Sequence, residues 1–350
     1  MFMKGNAMSD SARRWMVGHP VESFFLLGIL ICFGTLFPAI YLVPHDAGIG
    51  GIIGFYLGKI GVYSPVLAGM LITRIVRPGK HLHPFSRRLK VSLPVYLVAT
   101  AVNIASLKLT APPTVPFIVL VVLSLPVALL PAWVCSSAFA ASNGIREMLA
   151  TLIRPRGKVV YYVIALLTFP VVHIAGTGIS NGFQGSWLPT LDQFGSVGTN
   201  VVVSFVFVIF FAGGINEESG WRGFAQRRLQ AKFSPLAAAV ILWFGMVIWH
   251  IPNDIIQYQY GGYVMIRIVM YVCITVLFTW TYNRTHGSIL AVVLFHASMN
   301  SMNPLMGLLP VTTASNLLLI AFAVTVVFTD RMWRTLPEGH PAVYRESTPA

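Results

Sequence analysis

The sequence predicts an all-α fold, a polytopic transmembrane helical bundle of about eight to ten spans with both termini cytoplasmic. Three observations carry that prediction. Of 350 residues, 56% are hydrophobic and only 10% are charged, where a soluble domain carries about 25% charged residues. The mean hydropathy is +0.73, and the apolar residues fall in blocks of roughly 18 or more, long enough to cross a bilayer as a helix. Finally, the basic residues that make the net charge +13 sit in short clusters between those blocks. A β-barrel would instead show alternating segments of about ten residues, and the chain lacks that pattern.

Taken in order, the apolar runs lie near 21–43, 52–76, 91–107, 115–141 and 159–176, then near 197–213, 235–251, 263–282, 288–301 and 314–329. The first run, Phe24–Val43, is too long for a signal-peptide core and lacks a small-residue cleavage site, so it reads as a retained span. Glycines and prolines inside the runs (Gly50, Gly54, Gly58, Pro126, Pro131) are tolerated in membrane helices. With a cytoplasmic N-terminus, every second loop is inside: near 77–90, 142–158, 214–234 and 283–287. Those loops hold the Arg/Lys clusters, whereas the 44–51 and 177–196 loops hold none and the 108–114 loop only Lys108, in agreement with the positive-inside rule. Lys59 and Arg267 fall within spans and are expected to snorkel or pair. The tail from Pro337 reads as disordered. The expected organisation is a cytoplasmic segment 1–20, accessory transmembrane helices 21–196, a catalytic helical core 197–305, and a last helix with a cytoplasmic tail over 306–350. The expected location is the plasma membrane of a bacterium.

The charge distribution follows the loops and accompanies no recognition module, so nucleic acid is not expected as a partner. Cys32, Cys135 and Cys273 lie within apolar runs without metal spacing and read as small buried hydrophobes.

Function is carried by polar residues where solvation is poorest. The chain has only 11 acidic residues, yet Glu217 and Glu218 stand side by side in Asn216–Arg222, directly after the apolar run Val201–Ala212. A second stretch, Trp243–Asp254, carries His250, and a third, Leu294–Asn300, carries His296 and Asn300. Glu218 and Arg222 are i, i+4 on one helix face, as are His296 and Asn300. Ionisable groups at membrane depth mark functional sites by default, and they turn inward to a cavity because lipid offers no partner. Singly, each has an ordinary explanation: a loop ion pair, an interfacial histidine, interhelical hydrogen bonding. Their joint occurrence in three consecutive hydrophobic segments is poorly explained that way.

Peptide hydrolysis would use such a set. A carboxylate beside an imidazole deprotonates water, a part suited to Glu217 with His250. An imidazole N–H and an amide aimed at one point stabilise an oxyanion, a part suited to His296 with Asn300. Glu218 and Arg222 would support them. Glu217, His250 and His296 are also an acceptable ligand set for a divalent metal such as zinc, with a position open for water, although no H-E-x-x-H arrangement is present. The residues leave both schemes open. A transporter using buried charges as a proton or cation relay, or a non-catalytic membrane immunity or binding partner, are the other classes compatible with these residues.

The three motifs resemble those of the CPBP (Abi, CaaX-protease-like) family of intramembrane proteases, whose pattern is E-E-x-x-x-R, F-x-x-x-H and H-x-x-x-N on successive helices. Glu217–Arg222 matches the first, and "RGFAQRRL" looks like the family's continuation of it. His296–Asn300 matches the third; the second departs from the pattern, with Met246 four residues before His250 instead of Phe. The resemblance covers roughly 200–305 and leaves the first five spans outside it. It implies an intramembrane endopeptidase with Glu217 and His250 on the water, His296 and Asn300 at the oxyanion, and a membrane-anchored or hydrophobic peptide or protein as substrate. Family members have been assigned both metal-dependent and metal-free glutamate mechanisms, and the metal-free one is favoured here.

Overall fold

The computed structural model describes residues 10–45, 48–78, 85–140, 143–184, 187–258 and 263–345. Within them the chain is built from helices, with no strand. The elements are α1 (Asp10–Gly18), α2 (Pro20–His45), α3 (Ile49–Val62), α4 (Ser64–Val76), α5 (Phe85–Thr110), α6 (Phe117–Val127), α7 (Leu129–Ala140) and α8 (Asn143–Leu149). They continue with α9 (Val159–Ser180), α10 (Leu191–Phe211), α11 (Ile215–Gly220), α12 (Arg227–Leu229), α13 (Pro235–Tyr258), α14 (Tyr263–Arg284), α15 (Ile289–Asn300) and α16 (Thr313–Thr329).

Seven stretches among the described residues are long and apolar enough to cross a membrane: Pro20–Val43, Arg88–Thr110, Phe117–Phe139, Val159–Ser180, Leu191–Leu229, Pro235–Ile255 and Met265–Arg284. The run near 52–76, expected to be continuous, is broken: α3 and α4 meet at 59°. Pro65 in the first turn of α4 has no N–H to continue a helix from α3. Counting that bent pair gives eight spans, and α15 and α16 are shorter apolar helices. The chain is therefore a multi-pass integral membrane protein.

The expected loop 214–234 is also corrected. Residues 215–229 are helical and almost wholly buried. Ile215, Trp221, Phe224, Ala225 and Leu229 pack into the core, and Glu218 and Arg222 pair with each other inside the bundle.

Two apolar cores hold the molecule together. One is formed around α2, α4, α7, α8 and α13 by residues such as Phe24, Val66, Val134, Leu149, Leu242 and Trp249. The other gathers α9, α14, α15 and α16 through residues such as Phe169, Phe278, Val292 and Leu319. The segment 215–229 lies at their seam, giving Trp221 and Phe224 to the first core and Ile215 to the second.

Both in-span cations are accommodated. Lys59 Nζ sits over the rings of Phe55, Phe207 and Phe211 at 5.4, 5.0 and 5.8 Å, and Arg267 pairs with Asp254 at 3.0 Å. Asp254, which could have capped a loop after Pro252, instead lies within α13, which runs through that proline to Tyr258.

The C-terminal tail departs from the expectation of disorder as far as Arg345. The Tyr344 amide donates to the Arg227 carbonyl (2.9 Å) and Gln230 Nε2 to the Ala342 carbonyl (3.2 Å). Ala342 is fully buried, and Arg228 stacks on the Tyr344 ring at 4.0 Å. A composition too polar for a core of its own is held by an existing one. Residues 346–350 lie outside the described residues.

Candidate active site

The site begins with a turn. Between α10 and α11, Gly213 has φ +123°, a conformation that L side chains rarely adopt. Its amide donates to Asn216 Oδ1 at 3.1 Å, while Asn216 Nδ2 donates to the Val62 carbonyl at 2.9 Å. The turn is thus clamped to the end of α3. A Cβ on Gly213 would overlap the His296 ring, so glycine is required there twice, by dihedral and by space. At the other end of α11, a Cβ on Gly220 would overlap the Pro65 carbonyl; α11 and α4 touch backbone to backbone.

Trp221–Gln226 form a π-helical turn, a form rare in helices and frequent at functional sites. Glu218 lies before it and Arg222 within it. Both are completely buried, with Arg222 Nη1 2.9 Å from Glu218 Oε2. The other carboxylate oxygen, Oε1, accepts from His296 Nδ1 at 2.7 Å. One carboxylate therefore joins a guanidinium from its own segment to an imidazole from α15. Phe278 of α14 covers both partners of that carboxylate, its ring 5.2 Å from the Arg222 guanidinium and 5.4 Å from the His296 ring.

The bond to Glu218 fixes the protons on His296. A carboxylate accepts, so Nδ1–H donates; Nε2 faces the Gly213 turn. Asn300, one turn further along α15, donates from Nδ2 to the Ala212 carbonyl at 2.9 Å. Both members of the expected oxyanion pair are thus seated against the Ala212–Gly213 turn.

Glu217 is buried, and its Oε2 has no hydrogen-bond partner among the described residues. His296, Glu218 and Arg222 are the ionisable side chains around it. His250 on α13 donates from Nδ1 to the Met246 carbonyl at 2.8 Å, which leaves Nε2 as the acceptor in the neutral ring. Its ring lies between Trp249 (4.7 Å) and Tyr271 (5.0 Å). Among the described residues no hydrogen bond or ion pair joins His250 directly to Glu217 or Glu218. His296 is within electrostatic reach of both His250 and Glu217.

Of the six sequence-derived residues, Glu218, Arg222 and His296 are joined by direct contacts and Asn300 is on the same turn as His296, while no hydrogen bond or ion pair among the described residues joins Glu217 to His250. Met246, where the motif would have Phe, lies under Arg222 with Sδ 3.7 Å from Nη1.

Several neighbours were not legible. Trp249 donates to Ser64 Oγ at 2.7 Å, and Cys32 Sγ donates to the Trp249 carbonyl at 3.3 Å. Tyr271 accepts a hydrogen bond from Arg267, so Asp254, Arg267 and Tyr271 form a polar chain that ends against the His250 ring. The i, i+4 spacing of Arg267 and Tyr271 was the available signal. His173 of α9 bonds to the Leu309 carbonyl at 3.1 Å.

Among the described residues no three His, Cys, Asp or Glu side chains come together as a ligand set for a metal ion. Glu218 is shared between a guanidinium and an imidazole, and a guanidinium in contact with the carboxylate opposes a dication there.

Fold and site together define an all-helical, multi-pass membrane protein with a buried carboxylate, imidazole and guanidinium centre. Residues 198–302 match the model of the Rce1-like family, described as type II CAAX prenyl endopeptidase Rce1-like. The chain is also similar to CAAX prenyl protease 2 of Methanococcus maripaludis, 25% identical over 186 residues that make up 49% of this chain and 66% of the relative. The chain thus spans just under two thirds of that relative's length.

Proposed function

We propose that this chain is an intramembrane endopeptidase that cleaves a membrane-anchored or hydrophobic peptide or protein. The observation that carries the reading is Glu218 bridging Arg222 and His296 with no exposed surface, inside the region that matches a peptidase family. A buried ion pair of this kind is a costly arrangement with little net gain in stability, and its use here is to preorganise His296.

In this reading Glu217, through its open Oε2, and His250, through Nε2, act on one water, which gives up its proton to one of them as it attacks the scissile carbonyl. The C–N bond breaks as the tetrahedral intermediate collapses, and the proton passes to the leaving amine. His296 Nε2–H and the second N–H of Asn300 meet the developing oxyanion. For Nε2 to donate while Nδ1 does, the ring carries both protons, and Glu218 is the counter-charge beside it. The metal-free form of the mechanism is favoured because the carboxylate that contacts His296 is already shared with a guanidinium; no step needs a metal.

The test is cleavage of a quenched hydrophobic peptide by purified protein in nanodiscs. Glu217→Ala, His250→Ala and His296→Ala should each abolish turnover while melting stays cooperative; undiminished cleavage in all three sinks the assignment. Activity that survives exhaustive chelation supports the metal-free form, and loss restored by zinc refutes it. Proteoliposome uptake that persists in Glu217→Gln would instead favour a transporter. The prenylated CaaX substrates in the relative's name are one substrate class to assay beside unmodified peptides.

A further inference from the structure

A cavity of about 710 Å³ lies at the arginine-rich end of the bundle, apart from the buried centre. Its basic wall comes from four distant places: Arg146 on α8, Arg154 and Arg156 on the connection to α9, Arg227 on α12, and Arg345, beside His340, on the docked C-terminal segment. The only acidic side chain in the wall, Glu147, is paired with Arg77 at 2.8 Å.

The distribution of charge between loops explains why arginines are at this end. It does not explain five of them converging on one cavity from segments nearly 200 residues apart. Like charges focused in a concave, partly buried space repel, and the field they create concentrates anions. Arg227 Nε is buried there without a hydrogen-bond partner among the described residues. The planar fork of each guanidinium matches the oxygens of a phosphate group.

The C-terminal segment completes the cavity. Gly287, with φ +80°, lies against the Pro341 carbonyl, and Gly339, with φ +88°, lies under the Arg345 guanidinium. Backbone turns without side chains let the segment approach the bundle closely there.

We propose that this cavity is a binding site for a phosphate-bearing anion, gripped by Arg154, Arg156 and Arg227 on the bundle and by Arg345 on the C-terminal segment. The phosphate group belongs either to a soluble compound such as a nucleotide or to the headgroup of an anionic phospholipid. An anion bridging Arg345 to the bundle pins the segment in place, so binding and docking reinforce each other. The site does not depend on the peptidase reading.

The experiment uses the full-length chain. In neutral detergent, pyrophosphate and ATP are titrated calorimetrically, with hydrogen exchange followed over 339–345. In parallel, protein from nanodiscs of phosphatidylcholine with or without phosphatidylglycerol is analysed for retained lipid by native mass spectrometry. Saturable, salt-sensitive binding from either source is expected, with slowed exchange in the segment. Each of Arg154→Gln and Arg345→Gln, both exposed and so tolerant of change, should weaken it about tenfold, while Arg13→Gln, far along the chain, should not. Pyrophosphate or ATP binding identifies a soluble ligand, and retention of phosphatidylglycerol alone identifies a headgroup. Binding from neither source, or equal weakening in all three variants as bulk charge attraction would give, overturns the proposal.

Discussion

Glu218 and His296, 78 positions apart in sequence, meet at 2.7 Å in the interior of the bundle, and the same carboxylate holds Arg222 at 2.9 Å. If His296 acts through this contact, Glu218→Gln should lower kcat by roughly 10²- to 10³-fold, the range for loss of a preorganised oxyanion donor. KM should change little. In the double variant Glu218→Gln/His296→Ala the loss should equal that of His296→Ala alone, since the two act as a unit. Additive losses in the quenched-peptide assay would separate them.

Arg222 tests the electrostatics of burial. Arg222→Met leaves the buried Glu218 without its guanidinium partner, and should destabilise the fold by about 3–5 kcal/mol. Adding Glu218→Gln should recover much of that stability and none of the activity. Thermal melting in detergent, set beside turnover, reads both.

Gly213→Ala should lower the melting temperature and turnover together, because a Cβ there meets the His296 ring and the φ of +123° is strained for alanine. Gly195→Ala, where a Cβ meets open space, is the matching control and should be close to neutral.

The chain from Asp254 through Arg267 to Tyr271 should act through His250. Asp254→Asn and Arg267→Met are each expected to lower kcat several-fold and to alter the pH profile, and the pair together should cost no more than the worse of the two. Unchanged pH profiles would reduce the chain to a packing role.

Acid should loosen the C-terminal segment. Burial, with the His286 ring 6.1 Å away, holds His340 below the ordinary histidine value of 6.5. Arg345 and the arginines of the cavity wall face the same space. A histidine whose value is lowered in the docked state takes up a proton more readily when released, so docking is favoured above about pH 6.5 and weakens as pH falls through that value. Limited proteolysis near Tyr344 at pH 5 and pH 7.5 checks this, with faster cleavage expected at the lower pH and His340→Ala levelling the two.

The sequence showed the helical class, most of the spans and the residue types of the site. It did so because long apolar blocks and misplaced ionisable groups are local signals. Spacing selected Glu218 as the partner of Arg222, since i, i+4 residues share a face, but nothing local points to His296 on another helix. Likewise the widened turn at Trp221–Gln226 and the φ of Gly213 leave no periodicity to read. The break at Tyr63 was hidden because α3 and α4 are both apolar, and the docking of the tail because its anchors, Ala342 and Tyr344, are isolated residues in a polar stretch.

The near contact of Gly220 with Pro65 has a bearing on engineering. With Asn216 on Val62 and Trp249 on Ser64, the hinge between α3 and α4 is stitched to the motif-bearing helices at three points. A minimal version cut to 198–302 would expose those seams to detergent or lipid and should misassemble. Chimeras that exchange this region between relatives will need to carry the Val62–Pro65 hinge along with it.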